Sequence, residues 1–83
     1  MKILFSKSAV RNLKKIDPNN RRRILNKLRF YVSQKNIRRF ADKLSDPSVG
    51  QWRFRIGDYR AICDMSKNKL IILKIGHRKD IYR

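Results

Sequence analysis

Gln51-Trp52-Arg53-Phe54-Arg55-Ile56-Gly57-Asp58-Tyr59-Arg60-Ala61-Ile62-Cys63 is the stretch on which the fold turns. From Gln51 to Ile56 the residues alternate strictly. In an extended chain Trp52, Phe54 and Ile56 face one way, and Arg53 and Arg55 face the other. Gly57-Asp58 reads as a two-residue loop, with glycine first as a type II′ hairpin turn prefers. Tyr59 to Met65 is then the return strand. That loop length sets Ile56 opposite Tyr59, Arg55 opposite Arg60, Phe54 opposite Ala61 and Trp52 opposite Cys63. Rings and small residues share one face, which makes a core. Arg53, Arg55 and Arg60 share the other. One extra loop residue would turn this register over.

Downstream, Ser66-Lys67-Asn68-Lys69 is a second turn, and Leu70 to Ile75, the most apolar segment, is a central strand. His77 to Arg83 is a polar tail. Upstream, Asn36 to Gly50 is a basic, then polar connector with Asp46-Pro47-Ser48 as a turn signal, and Leu44 is expected to pin it to the core. Pro18 to Gln34 reads as a helix, capped by Asp17 with proline at the first helical position. Ile24, Leu25, Leu28, Tyr31 and Val32 form its buried stripe; Arg21, Arg22, Arg23, Lys27 and Arg29 cover much of the rest. An earlier helix, capped by Ser6 or Ser8, carries Ala9, Leu13 and Ile16 at i, i+4 and i+7. Lys2 to Phe5 suits a strand. The order β-α-α-β-β-β predicts a single α+β domain over residues 1–83, with an N-terminal strand and a helical hairpin packed on a small antiparallel β-sheet.

Charge narrows the function. Lys plus Arg number 23 against 6 Asp and no Glu, a net charge of +17. A solubilising surface needs a magnitude of only about 2–8. A polyanion that neutralises the excess is the better explanation, and nucleic acid is the first candidate. No run approaches the ~18 apolar residues of a membrane-spanning helix. The apolar opening, Met1 to Phe5, is too short for a signal peptide, so a cytoplasmic location is expected and no membrane partner. Cys63, the one cysteine, reads as a small buried strand residue, and no Cys/His pair has zinc-site spacing.

Two arginines directly opposite one another repel, and a fold keeps such a pair more readily when an anion sits between them. The planar guanidinium fork suits phosphate. The tail Gly76-His77-Arg78-Lys79-Asp80-Ile81-Tyr82-Arg83 adds the only histidine. A lone histidine is often structural, but His77 follows a strand end and precedes Arg78, so proton transfer and packing stand side by side. Tyr82 reads equally as a tether for the tail or as a proton carrier.

Trp52-Arg53-Phe54-Arg55-Ile56-Gly57-Asp58-Tyr59-Arg60, followed by Ile75-Gly76-His77-Arg78-Lys79-Asp80-Ile81-Tyr82, resembles the RelE/ParE toxin superfamily of type II toxin–antitoxin systems. The resemblance covers nearly the whole chain. It implies an antiparallel sheet with an N-terminal helical hairpin. In the RelE-like branch it implies an mRNA interferase, a ribosome-dependent endoribonuclease that cuts mRNA in the ribosomal A site and is held inactive by an antitoxin. Carried over by motif, the strand residues are Arg53 and Arg55, the hairpin arginine is Arg60, the tail arginine is Arg78 and the late tyrosine is Tyr82. RelE-type enzymes often have lysines where this chain has Arg53 and Arg55, which hold charge but are poor proton carriers. The ParE branch shares the fold and poisons DNA gyrase without cleaving nucleic acid, and fold alone does not separate the two.

The chemistry expected is metal-independent and needs no cofactor. Asp17, Asp42, Asp46, Asp58, Asp64 and Asp80 are scattered, whereas a two-metal site needs converging carboxylates. RNA's own 2′-OH then attacks the adjacent phosphorus, leaving a 2′,3′-cyclic phosphate and a 5′-OH. Arg53, Arg55, Arg60 and Arg78 are expected to stabilise the phosphorane, and His77 and Tyr82 are the candidate proton carriers. Arg21, Arg22, Arg23, Lys27, Arg38, Arg39 and Lys43 are expected to bind RNA. The expected partners are mRNA, the ribosome with its rRNA, and a cognate acidic antitoxin. A ParE-like toxin acting on gyrase and a non-catalytic nucleic-acid-binding module are the alternatives.

Overall fold

A computed structural model describes residues 1–82; Arg83, the end of the expected tail, lies outside the described residues. The hairpin folds in the expected register. β3 (Trp52–Ile56) and β4 (Tyr59–Ser66) run antiparallel, with Arg55 opposite Arg60, Phe54 opposite Ala61 and Trp52 opposite Cys63. Gly57 takes φ 59°, a left-handed value that glycine adopts without steric cost. β5 (Lys69–His77) pairs antiparallel with β4, and β1 (Lys2–Phe5) lies on its far side. A two-residue strand, β2 (Asp42–Lys43), adds to the outer edge of β3. The sheet order is β1-β5-β4-β3-β2.

The expected sheet was wholly antiparallel with four strands; the observed one is mixed with five. β1 pairs parallel to β5, with Leu4 opposite Ile71. Residue alternation places side chains on faces but says nothing about strand direction. β2 is too short for a period, and Asp42-Lys43 carries no apolar signal.

The two helices cover one face of the sheet. α1 (Lys7–Lys15) begins where the Ser6 side chain accepts a hydrogen bond from the Ala9 amide at 3.0 Å. α2 (Pro18–Val32) begins at Asp17, which caps Asn20 at 3.1 Å. α2 stops short of Gln34 because Ser33 bonds back to the Phe30 carbonyl at 2.6 Å, a local bond that competes with helix continuation. Where β1 has ended, α1 takes over the free edge of β5: Ser6 Oγ donates to the Leu73 carbonyl at 2.7 Å, and Asn12 Oδ1 accepts from the Ile75 amide at 3.0 Å. These polar groups serve backbone beside an irregularity in the β4–β5 ladder at Ile62/Cys63.

The main core lies between helices and sheet. Tyr31 stacks on Phe54 at 4.6 Å between ring centroids, flanked by Ile24, Leu28, Ile56 and Ile72. The connector is pinned by Ile37, in a 3₁₀ turn at Ile37–Phe40, rather than by Leu44, which stays half-buried. Ile62 and Ile81 are also buried but belong to the opposite face of the sheet. There the tail folds back, and Ile81 Cδ1 packs over Gly76. Among the described residues no helix is long and apolar enough to cross a membrane.

Candidate functional site

Side-chain alternation along β3 delivers Arg53 and Arg55 to the face opposite the helices, and β2 delivers Asp42 beside them. Asp42 Oδ2 accepts from Arg53 Nε at 3.3 Å and Nη2 at 3.1 Å, and from Arg55 Nε at 2.9 Å. Arg53 Nη1 donates to the Tyr82 hydroxyl oxygen at 2.8 Å. One guanidinium therefore spans a carboxylate and a phenol. Its charge is reinforced: the Tyr82 bond, and then Asp42, raise its already high pKa against a desolvation penalty. Arg53's hydrogen bonds, followed by the positive charges of Arg55 and Arg53, hold the Asp42 carboxyl below its usual range, with partial burial opposing.

Arg60 and Arg78 lie toward the hairpin turn. Arg60 faces the same side as Arg55, yet its Nη1 donates to the carbonyls of Gly57 and Tyr59, both at 2.9 Å. Arg78 pairs with Asp58 at 3.7 Å and donates its amide to the Asp58 carbonyl at 2.7 Å. His77 is not brought to this face. It sits opposite Tyr59 on the helix-covered side, with its ring edge-to-face against Tyr59 at 5.7 Å.

The cations assigned to RNA binding divide between several surfaces. Arg21 is used within the fold: its guanidinium donates to the carbonyls of Leu13 at 2.9 Å and Ile16 at 2.8 Å and so caps the end of α1. Arg22, Arg23 and Lys27 line an open groove on α2 with Asn19, Asn26 and Phe30. Arg38 stacks over Trp52 at 5.7 Å and, with Lys43, borders a separate hollow of about 530 Å³. Arg39 lies beside Phe40. Sequence reading missed Asp42 as a site residue, because Asp42 and Arg53 meet only through β2. The strand motif of alternating arginines gave no hint of an acidic partner.

Comparison with known proteins places this fold in a class of small α+β toxins. A family profile for the ParE toxin of the type II toxin–antitoxin system, parDE, matches residues 3–82. The chain belongs to this family, within the RelE/ParE superfamily. Among solved structures, the RelB–RelE antitoxin–toxin complex of Methanococcus jannaschii matches at 26% identity and TM-score 0.70, over 95% of this chain and 94% of that one. The archaeal RelE–RelB complex of Pyrococcus horikoshii OT3 matches at 25% identity and TM-score 0.73, over 95% and 96%. The toxin–antitoxin complex RelBE2 of Mycobacterium tuberculosis shares the fold at 24% identity and TM-score 0.67, over 93% and 96%. No curated protein matches by sequence. The resemblance read from the hairpin and tail motifs is borne out, as is the α+β class.

Proposed function

We propose that this toxin is a metal-independent endoribonuclease that cuts ribosome-bound mRNA and is neutralised by an acidic antitoxin. The observation that carries this reading is Arg53, bonded at once to Asp42 and Tyr82. A phosphate held by Arg53 and Arg55 lies between a carboxylate and a hydroxyl. Among the described residues the Asp42 bonds fall on Oδ2; in this reading Oδ1 accepts the proton of the 2′-OH as its oxygen attacks phosphorus. The bond from phosphorus to the 5′ oxygen breaks, and the Tyr82 hydroxyl protonates that oxygen. Arg53 and Arg55, joined by Arg60 and Arg78 once they swing from their carbonyl and carboxylate partners, stabilise the phosphorane. The products are a 2′,3′-cyclic phosphate and a 5′-OH. Two similar structures are complexes of RelE with RelB, which supports an antitoxin partner here, and a +17 chain attracts an acidic one.

A second reading follows from the family profile, which is that of the ParE toxin; a ParE-like toxin would act on DNA gyrase without cutting RNA. One experiment separates the two. Purified protein is incubated with mRNA-programmed ribosomes in the presence of a chelator, 5′ ends are mapped, and gyrase supercoiling is assayed in parallel. New 5′-OH ends with intact supercoiling support the nuclease. Intact mRNA with blocked supercoiling overturns it.

A further inference from the structure

We infer that His77 is a positioning residue that folds the tail so that Tyr82 reaches Arg53; this rests on the nuclease reading for its kinetic consequence, but not for its structural one. Four successive amides follow His77, and each has a defined acceptor. Arg78 donates to the Asp58 carbonyl at 2.7 Å. Lys79 donates to His77 Nδ1 at 3.2 Å. Asp80 and Ile81 donate to the His77 carbonyl at 2.8 and 3.0 Å. One residue therefore takes three of the four. The turn it makes drops Ile81 onto Gly76, where it is 2% exposed, and the next residue is Tyr82.

The side-chain bond is the imidazole version of an Asx turn, in which a side-chain acceptor at one residue receives the amide two residues on. Nδ1 occupies the place of an asparagine Oδ1, one bond beyond Cγ. The other anchors are external to the turn. Tyr59 buttresses the ring edge-to-face, and Asp58 holds Arg78 by both backbone and side chain. His77 projects to the helix-covered side, while Arg53, Arg55 and Tyr82 gather on the other. His77 and a phosphate held there would therefore lie on opposite faces of the sheet. A turn held by His77 acts across the sheet through the backbone.

Asparagine and glutamine separate the two roles. His77→Asn keeps an acceptor at the Nδ1 place and removes the imidazole ring; His77→Gln moves the acceptor one bond further out. Each full-length variant is checked by thermal unfolding. Hydrogen exchange of the Lys79 amide and the Arg53–Tyr82 proximity are then read by NMR, and mRNA cleavage on ribosomes is read as kcat and KM. The expected result is that His77→Asn keeps Lys79 protection, the Arg53–Tyr82 contact and near wild-type kcat. His77→Gln should lose protection and contact, and its kcat should fall on the order of 10- to 100-fold, as misplacement of a reacting group by about an ångström does. KM should hold, because Arg53 and Arg55 remain. His77→Asn as inactive as His77→Gln, with the contact intact, overturns the inference and makes His77 a proton carrier. If wild type cuts no RNA, the nuclease reading fails; an unchanged Lys79 amide and contact in His77→Gln then overturns the positioning role by itself.

Discussion

Arg53 and Tyr82, 29 residues apart in the chain, meet through a 2.8 Å hydrogen bond on the sheet face opposite the helices. The bond closes a loop formed by β4, β5 and the returning tail. Tyr82 remains 55% exposed. On the nuclease reading, this hydroxyl, held by a guanidinium, is the one that exchanges a proton with RNA.

Tyr82→Phe keeps the ring and removes only that hydroxyl. On the nuclease reading kcat falls about 10²–10⁴-fold, the usual cost of a lost general acid or base, while KM moves little. Single-turnover cleavage on programmed ribosomes, with RNA affinity measured separately, gives both numbers. Equal loss of affinity and rate would make Tyr82 a binding contact and remove it from the chemistry.

Asp42→Asn tests the carboxylate. An amide no longer neutralises Arg53 and Arg55, so affinity for RNA should rise and its salt dependence steepen, while turnover falls. The ion pairs also give a pH signature. Arg53 depresses the folded-state pKa of Asp42 below its ordinary 3.8, so the stability they contribute is fully present above that value and is lost as pH falls through the folded one. With Asp42 43% exposed, that contribution sits within the range of about 0–1 kcal/mol for surface pairs. Urea unfolding of both proteins should differ slightly at pH 7 and converge below pH 3.8. A gap that widens in acid would contradict the pairing.

The hairpin was legible because three local rules agreed: strict alternation, a Gly-Asp loop and rings opposite small residues. Both helices were legible from their caps, Ser6 and Asp17. What escaped was non-local. Asp42 joins the arginines only because a two-residue strand docks beside β3. Ile81 sits in a stretch that reads as polar tail, and its burial depends on Gly76 leaving room beneath it. Arg21 looked like one of three consecutive, equivalent helix arginines, yet of these only Arg21 points back at the end of α1. Charge patterning places such residues on a helix face without telling a surface cation from a cap.

That distinction is measurable. Arg21→Ala removes donors to the Leu13 and Ile16 carbonyls and should cost about 1.5–3 kcal/mol of stability, the range for hydrogen bonds made by charged groups. Arg22→Ala, on the open groove, should leave stability unchanged. Chemical denaturation reads both. Equal midpoints for the two variants would return Arg21 to the surface cations.

Cys63 is buried in β4, and burial, helped by the negative charge of Asp64, pushes its thiol up to about 12. The reactive thiolate is therefore scarce and enclosed. Iodoacetamide at pH 8 should leave the folded protein unmodified and alkylate it fully in denaturant, as read by mass spectrometry. Rapid alkylation of the native protein would show that β4 opens readily.

Gly76→Val addresses the tail without touching any group that exchanges protons. A Cβ at this position comes within 3.0 Å of Ile81 Cδ1 and 3.7 Å of the Ile81 Cα, so a branched side chain has no room while Ile81 stays seated. The β4–β5 pairing between Arg60 and Gly76 is a backbone feature that valine accepts. The strain is therefore relieved by lifting the tail, which carries Tyr82 away from Arg53. The variant should remain folded by circular dichroism, lose the Arg53–Tyr82 contact, keep its RNA affinity and cut on the order of 10- to 100-fold more slowly. Ile81→Ala removes the clashing atoms, so combining it with Gly76→Val should bring back part of the lost rate if the clash is the cause. Wild-type cleavage by Gly76→Val with the contact demonstrably absent would mean that Tyr82 acts without Arg53, and the arrangement proposed for the chemistry would have to be abandoned.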